Sequence, residues 1–157
     1  MDRFYEAQMR EVFMRVAWSN INRPYTWGGD DPSGFDCSGL VVECSKAVGL
    51  MGRQQDATAD MIYQRYRDAF GPPNPNSTFI DEGWLCFWKS SVSDKMVHIE
   101  IAINPYLSIG AAGGGSNVKT PEDAWKYNAY IKVRPIRGRG NFAGAYDAMR
   151  LLWVHNE

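Results

Sequence analysis

No stretch of this sequence approaches the roughly 20 consecutive apolar residues that a membrane-spanning helix requires, so an integral membrane protein is not expected. Charge of one sign is also missing. Seventeen Lys and Arg face eighteen Asp and Glu, a formal net charge of −1, which offers no general attraction to nucleic acid or an anionic membrane. Cysteine is scarce and odd in number: Cys37, Cys44 and Cys86 have no CxxC spacing, so neither a disulfide framework nor a zinc site is favoured and reduced thiols are the expected state. The opening MDRFYEAQMREVFMRVAW carries charges throughout and lacks the apolar centre of a secretory signal. Any export is expected to use another route. No internal repeat is visible.

What is present suits one packed core. The 157 residues, 45% hydrophobic and 22% charged, predict a single domain over residues 1–157. Tyr5, Met9, Val12, Phe13, Val16 and Ala17 follow helical spacing, with Asp2 available as the N-cap. NRPYTWGGDDPSGF then holds too many Pro and Gly residues for a regular element and reads as a structured loop. Leu40, Val41, Cys44, Ala47 and Val48 predict a helix from Cys37 to Val48, between Asp36 and Gly49. A third helix is expected around residues 57–69.

The second half changes period. WLCFWK, VHIEIAI, YLSIGA and YIKVRPI are short aromatic and β-branched runs that predict strands of an antiparallel sheet. Strict alternation from Val97 to Ile103 puts His98, Glu100 and Ala102 on one face and the aliphatic residues on the other. FAGAYDAMRLLWV could be strand or helix on periodicity alone.

Cys37 would stand at the N-terminus of its helix, where the macrodipole favours a thiolate. Against this, an unpaired cysteine is commonly just a small buried hydrophobe, and Cys44 and Cys86 read that way. A thiol nucleophile needs a base, and histidine suits that task near neutrality. There are two candidates: His98 in mid-strand and His155 close to the C-terminus. A satisfied histidine on a half-exposed strand is the ordinary alternative for His98.

The run Pro24-Tyr25-Thr26-Trp27-Gly28-Gly29, followed by Gly34-Phe35-Asp36-Cys37-Ser38-Gly39-Leu40-Val41, resembles the signature of the NlpC-type family of cell-wall cysteine peptidases. Gly52-Arg53 with Gln54 and Gln55, then Gly83–Trp88, Val97-His98-Ile99 and Phe142–Ala145, follow in that family's order. The resemblance implies a minimal papain-like α+β domain, with Cys37 as nucleophile at a helix N-terminus packed on an antiparallel sheet that presents His98 as the base. It implies oxyanion or substrate contacts for Tyr25, Asp36, Ser38 and Arg53, although loop packing, helix capping, turn hydrogen bonding and plain solvation are their ordinary roles. The family usually supplies a third polar residue on the next strand to orient the imidazole, and here that slot falls on Gly110. Glu100, on the face of His98, is the other candidate orienter, roughly 6.6 Å away along the strand.

The resemblance implies hydrolysis of amide bonds in the peptide stems of bacterial peptidoglycan, with no metal or organic cofactor. The stem peptide is the expected partner, with phage-tail or secretion components as further possibilities. The rival is a non-catalytic papain-like module that binds wall peptides or builds a phage tail. Lys132, Arg134, Arg137 and Arg139 form a basic stretch that reads best as a solvated edge.

Overall fold

The structure is a computed structural model, and it describes residues 2–31, 34–113 and 115–154. Its first helix, α1 (Arg3–Ser19), is capped by Asp2, whose carboxylate accepts from the Tyr5 N–H at 2.7 Å. The glycine- and proline-rich loop that follows contains one short antiparallel pair, β1 (Asp30–Asp31) with β2 (Gly34–Phe35). Helix α2 runs Cys37–Ala47 with Asp36 as N-cap, and α3 runs Ala59–Phe70 with Thr58 as N-cap. The first two lie where their caps and apolar spacing place them, and α3 starts two residues after the expected position.

Five strands then form one antiparallel sheet: β3 (Trp84–Lys89), β4 (Met96–Ala102), β5 (Leu107–Ala112), β6 (Tyr130–Pro135) and β7 (Phe142–Asp147). Their order is β6-β5-β4-β3-β7. The ambiguous C-terminal run is both things in turn, strand β7 and then a 3-10 turn at Ala148–Arg150 leading into a short helix at Leu151–Val154. One helix, α4 (Pro121–Lys126), has no counterpart in the apolar pattern. Its signal was the cap: Thr120 and Asp123 bond reciprocally, and Pro121 opens the helix.

Alternation in β4 divides the molecule. Ile99 and Ile101, fully buried, join Leu40, Val41, Phe13 and Phe87 in the main core beneath the helices. On the opposite face Cys86, Trp88, Ala102, Ile80 and Ile136 make a second, smaller cluster. His98 and Glu100 belong to that second face, for they pair across β3 with Trp88 and Cys86. Strand β5 continues to Ala112, but its register with β4 consists of Ile101↔Ile109 and Ala102↔Ser108. The N-terminal half of β4 is therefore free of β5 along that edge, and the start of α2 comes to it.

Two glycines fix how closely this happens. A Cβ on Gly39 would lie 2.0 Å from the Gly29 carbonyl oxygen, so only glycine lets the loop lie across the first turn of α2. A Cβ on Gly110 would lie 2.3 Å from the Cγ of Glu100. The side chain from one strand fills the space left by the other.

Candidate active site

Asp36 ties the loop to the helix. One carboxylate oxygen accepts from the Gly39 N–H at 2.6 Å and from the Ser38 hydroxyl at 3.3 Å, while the other accepts from the Gly28 N–H at 3.2 Å. Capping is thus its visible role. Burial raises the Asp36 pKa, opposed by the hydrogen bonds from Gly39, Ser38 and Gly28.

Cys37, the first residue of α2, opens into a cleft of about 490 Å³ shared with Tyr25, Trp27, Asp36, Ser38 and Val97. Trp27, Met61 and Val97, each more than half exposed, give this cleft an apolar rim. It continues past Lys95 and Met96 into a second groove of about 560 Å³ bearing Arg67 and Lys89. Arg53 sits exposed in the turn after α2 and does not line the cleft. Tyr25 is buried, and its phenol is held protonated by burial first and then by the neighbouring Cys37 and Asp36 charges. Such a hydroxyl can donate a hydrogen bond at any ordinary pH.

The thiol of Cys37 lies 4.0 Å from the Val97 carbonyl oxygen and is also approached by the Ile99 backbone N–H. These groups flank His98, so the sulfur stands beside the backbone of the residue carrying the imidazole. Among the described contacts there is no direct thiol–imidazole hydrogen bond. Nor does the packing around Cys37 favour the thiolate expected at a helix start. Burial, then the Asp36 charge, push the Cys37 thiol up to about 11, against the N–H groups of Ile99 and Ser38. Desolvation outweighs the helix terminus here.

A measurement follows directly. Alkylation of Cys37 by iodoacetamide in the substrate-free protein should rise about tenfold per pH unit between about pH 7 and 10, as the thiolate fraction does. A plateau already reached below pH 7 would contradict a neutral resting thiol. Cys44 and Cys86, fully buried and with raised pKa values, should react only on unfolding.

The imidazole of His98 faces Trp88, with ring centroids 5.5 Å apart, and its Nε2 lies 2.5 Å from Oε2 of Glu100. The 6.6 Å expected along the strand is bridged because Glu100 bends back through the space above Gly110. Glu100 has no solvent exposure and also accepts from Ser108, Arg134 and Arg139. Burial alone would raise its carboxyl, but hydrogen bonds from His98 and Arg139, with the charges of His98 and Arg134, hold it well below the usual carboxylate range.

The basic stretch is a solvated edge only in part, since Arg137 is exposed while Arg134 and Arg139 turn inward. Arg134 and Arg139 dock on the buried carboxylate, Lys132 bonds the Asn128 carbonyl at 2.9 Å, and Arg137 bonds the Pro75 and Ser77 carbonyls. No spacing rule would have found this pairing, since the partners are 34 and 39 residues apart. The other histidine, His155, lies outside the described residues. Among the described residues no group of three or more His, Cys, Asp or Glu side chains could hold a metal ion, and no helix is long and apolar enough to cross a membrane.

Helices packed on a five-stranded antiparallel sheet make an α+β fold, with Cys37 at a helix start and His98 on β4. The sequence pattern of the NlpC/P60 family matches residues 22–134, and the chain belongs to that family. It is 32% identical over 117 residues to dipeptidyl-peptidase 6 of Lysinibacillus sphaericus, covering 73% of this chain and 37% of that protein. It is 29% identical over 130 residues to the murein DD-endopeptidase MepH of Escherichia coli, covering 80% of this chain and 45% of that one. The chain thus spans less than half the length of these relatives. Among solved structures it resembles an NlpC/P60 family protein from Bacillus cereus, with a TM-score of 0.64 at 16% identity over 89% of this chain and 40% of the other. It also resembles the peptidoglycan hydrolase RipB of Mycobacterium tuberculosis, with a TM-score of 0.63 at 21% identity over 92% of this chain and 66% of the other.

Proposed function

We propose that this protein is a cysteine peptidase that hydrolyses amide bonds in the peptide stems of bacterial peptidoglycan. The observation that carries the reading is the placement of the Cys37 thiol at the start of α2, in an open cleft and against the backbone on both sides of His98. Family membership and the relatives named as peptidases support it.

In this reading the Cys37 side chain turns toward Nδ1 of His98 when substrate binds. The Cys37 proton passes to Nδ1 of His98 as sulfur attacks the scissile carbonyl. The tetrahedral oxyanion is met by N–H groups of the first turn of α2 and by the Tyr25 hydroxyl. The C–N bond breaks, His98 returns the proton to the leaving amine, and the acyl group remains on sulfur. Water then attacks the thioester and gives one proton to His98; the C–S bond breaks, the His98 proton restores the thiol, and the released acid loses its proton to solvent to leave as the carboxylate. Asp36 and Ser38 border the acyl side of the cleft and take its polar contacts, Asp36 while still capping α2. Arg53 reaches substrate only where the stem extends beyond the cleft. Phage-tail or secretion components, expected as partners from the sequence, stay part of the proposal, and the whole of residues 1–157 acts as one domain.

Digestion of purified muropeptides of several chemotypes, with products identified by mass, tests the reading. Two product masses that sum to the substrate plus one water are expected. Binding without cleavage of every chemotype would favour the rival reading, a wall-peptide binding module, which draws on the neutral resting thiol.

A further inference from the structure

The carboxylate of Glu100 is the meeting point of four side chains from three other segments and its own strand. Oε2 faces Nε2 of His98 at 2.5 Å and receives Arg139 Nη1 at 2.7 Å and Arg134 Nη2. Oε1 receives the Ser108 hydroxyl at 2.8 Å and Arg139 Nη2 at 3.1 Å. The guanidinium carbon of Arg139 also lies 4.1 Å from the centroid of the Trp88 ring, and the same ring lies against His98. Trp88 thus backs both the imidazole and the cation.

Position 110 explains the need for this assembly. The family resemblance places a third polar side chain there, and this chain has glycine. A Cβ at 110 would meet Cγ of Glu100 at 2.3 Å and Cδ at 2.9 Å, so the two positions cannot both carry side chains.

We propose that Glu100 replaces the missing residue from the strand of His98 itself, and that Arg134 and Arg139 are positioning residues that hold its carboxylate against Nε2. The proposal rests on the peptidase reading above. A buried carboxylate without cations would be strongly disfavoured and would turn toward water. The fork of Arg139, bonded to both oxygens and lying over Trp88, restrains its rotation.

The tautomer follows from this geometry. Glu100 is ionised and can only accept, so Nε2 of His98 carries the proton at the 2.5 Å contact. Arg134 Nη2, 3.3 Å from Nε2, is a donor facing a donor and adds no bond there. In the neutral imidazole this leaves the lone pair on Nδ1, the form a base needs to take the Cys37 proton.

The experiment combines 15N-histidine spectra with steady-state kinetics on a cleaved muropeptide. The chain has two histidines, so His98→Ala assigns the signal. Wild-type His98 is expected to carry its proton on Nε2. Arg139→Met should give mixed tautomers and lower kcat about ten- to a hundredfold with KM within about twofold, and Arg139→Lys should recover part of both. Glu100→Gly should lose activity, and adding Gly110→His to it should restore at least about tenfold by returning a polar ring to the vacated space. A wild-type proton on Nδ1, or a folded Arg139→Met with unchanged kcat, would overturn the proposal. If wild type cuts no muropeptide, the peptidase reading fails, while the tautomer of wild-type His98 still decides whether the clamp exists.

Discussion

Replacing Glu100 by glutamine should destabilise the protein at neutral pH by about 3–5 kcal/mol, the range seen when one partner of a buried ionic group is removed. For a chain of this length that is a fall in Tm of about 10 °C. The carboxylate is fully buried beneath Arg134, Arg139, Ser108 and His98, and the amide would leave two guanidiniums facing each other without a counter-charge. The effect on pH dependence has a definite sign. The folded state holds Glu100 well below its usual range, so its stabilising contribution is complete above the ordinary carboxylate pKa of about 4.3 and fades as pH falls toward the depressed folded value. Thermal unfolding from pH 7 down to about pH 2.5 should show wild type losing stability over this range more steeply than Glu100→Gln. Parallel acid slopes for the two proteins would mean that Glu100 is not the ionised hub of the cluster.

His98→Ala has the second large expected effect. If Nδ1 of His98 removes the Cys37 proton and later protonates the leaving amine, the variant loses general acid–base catalysis in both half-reactions. A fall in kcat of about 10²–10⁴ is expected, with KM little changed because the imidazole does not line the cleft. Stability should change less than for Glu100→Gln, as the carboxylate keeps both arginines and Ser108. A variant that keeps its kcat while losing many degrees of Tm would mark His98 as a structural member of the cluster and nothing more.

The structure also shows which kinds of information local sequence carries. Asp2 and Asp36 cap helices where their spacing to the apolar residues places them, because capping is decided within four residues. The β4 alternation divides His98 and Glu100 from Ile99 and Ile101 by the two-residue period of a strand. The charge state of Cys37 is not set by that local view alone. A helix terminus favours the thiolate, but the loop lying over Gly39 and the adjoining edge of β4 bury the sulfur, and burial depends on tertiary packing. Arg134 and Arg139 were illegible for a related reason: a charge run reads as solvated until a strand order of β6-β5-β4 brings it over a buried carboxylate. Arg53 fits a motif, yet the turn that carries it leaves it outside the cleft. Helix α4 carries a local signal too, the Thr120–Asp123 cap with Pro121.

All of the chemistry depends on the sulfur of Cys37 attacking a wall-peptide carbonyl. The most direct measurement compares wild type with Cys37→Ala on a muropeptide that the wild type cuts, with equal Tm values confirming that both are folded. Product masses should vanish in Cys37→Ala while the substrate remains intact. Cleavage by Cys37→Ala at a rate within tenfold of wild type would contradict the account.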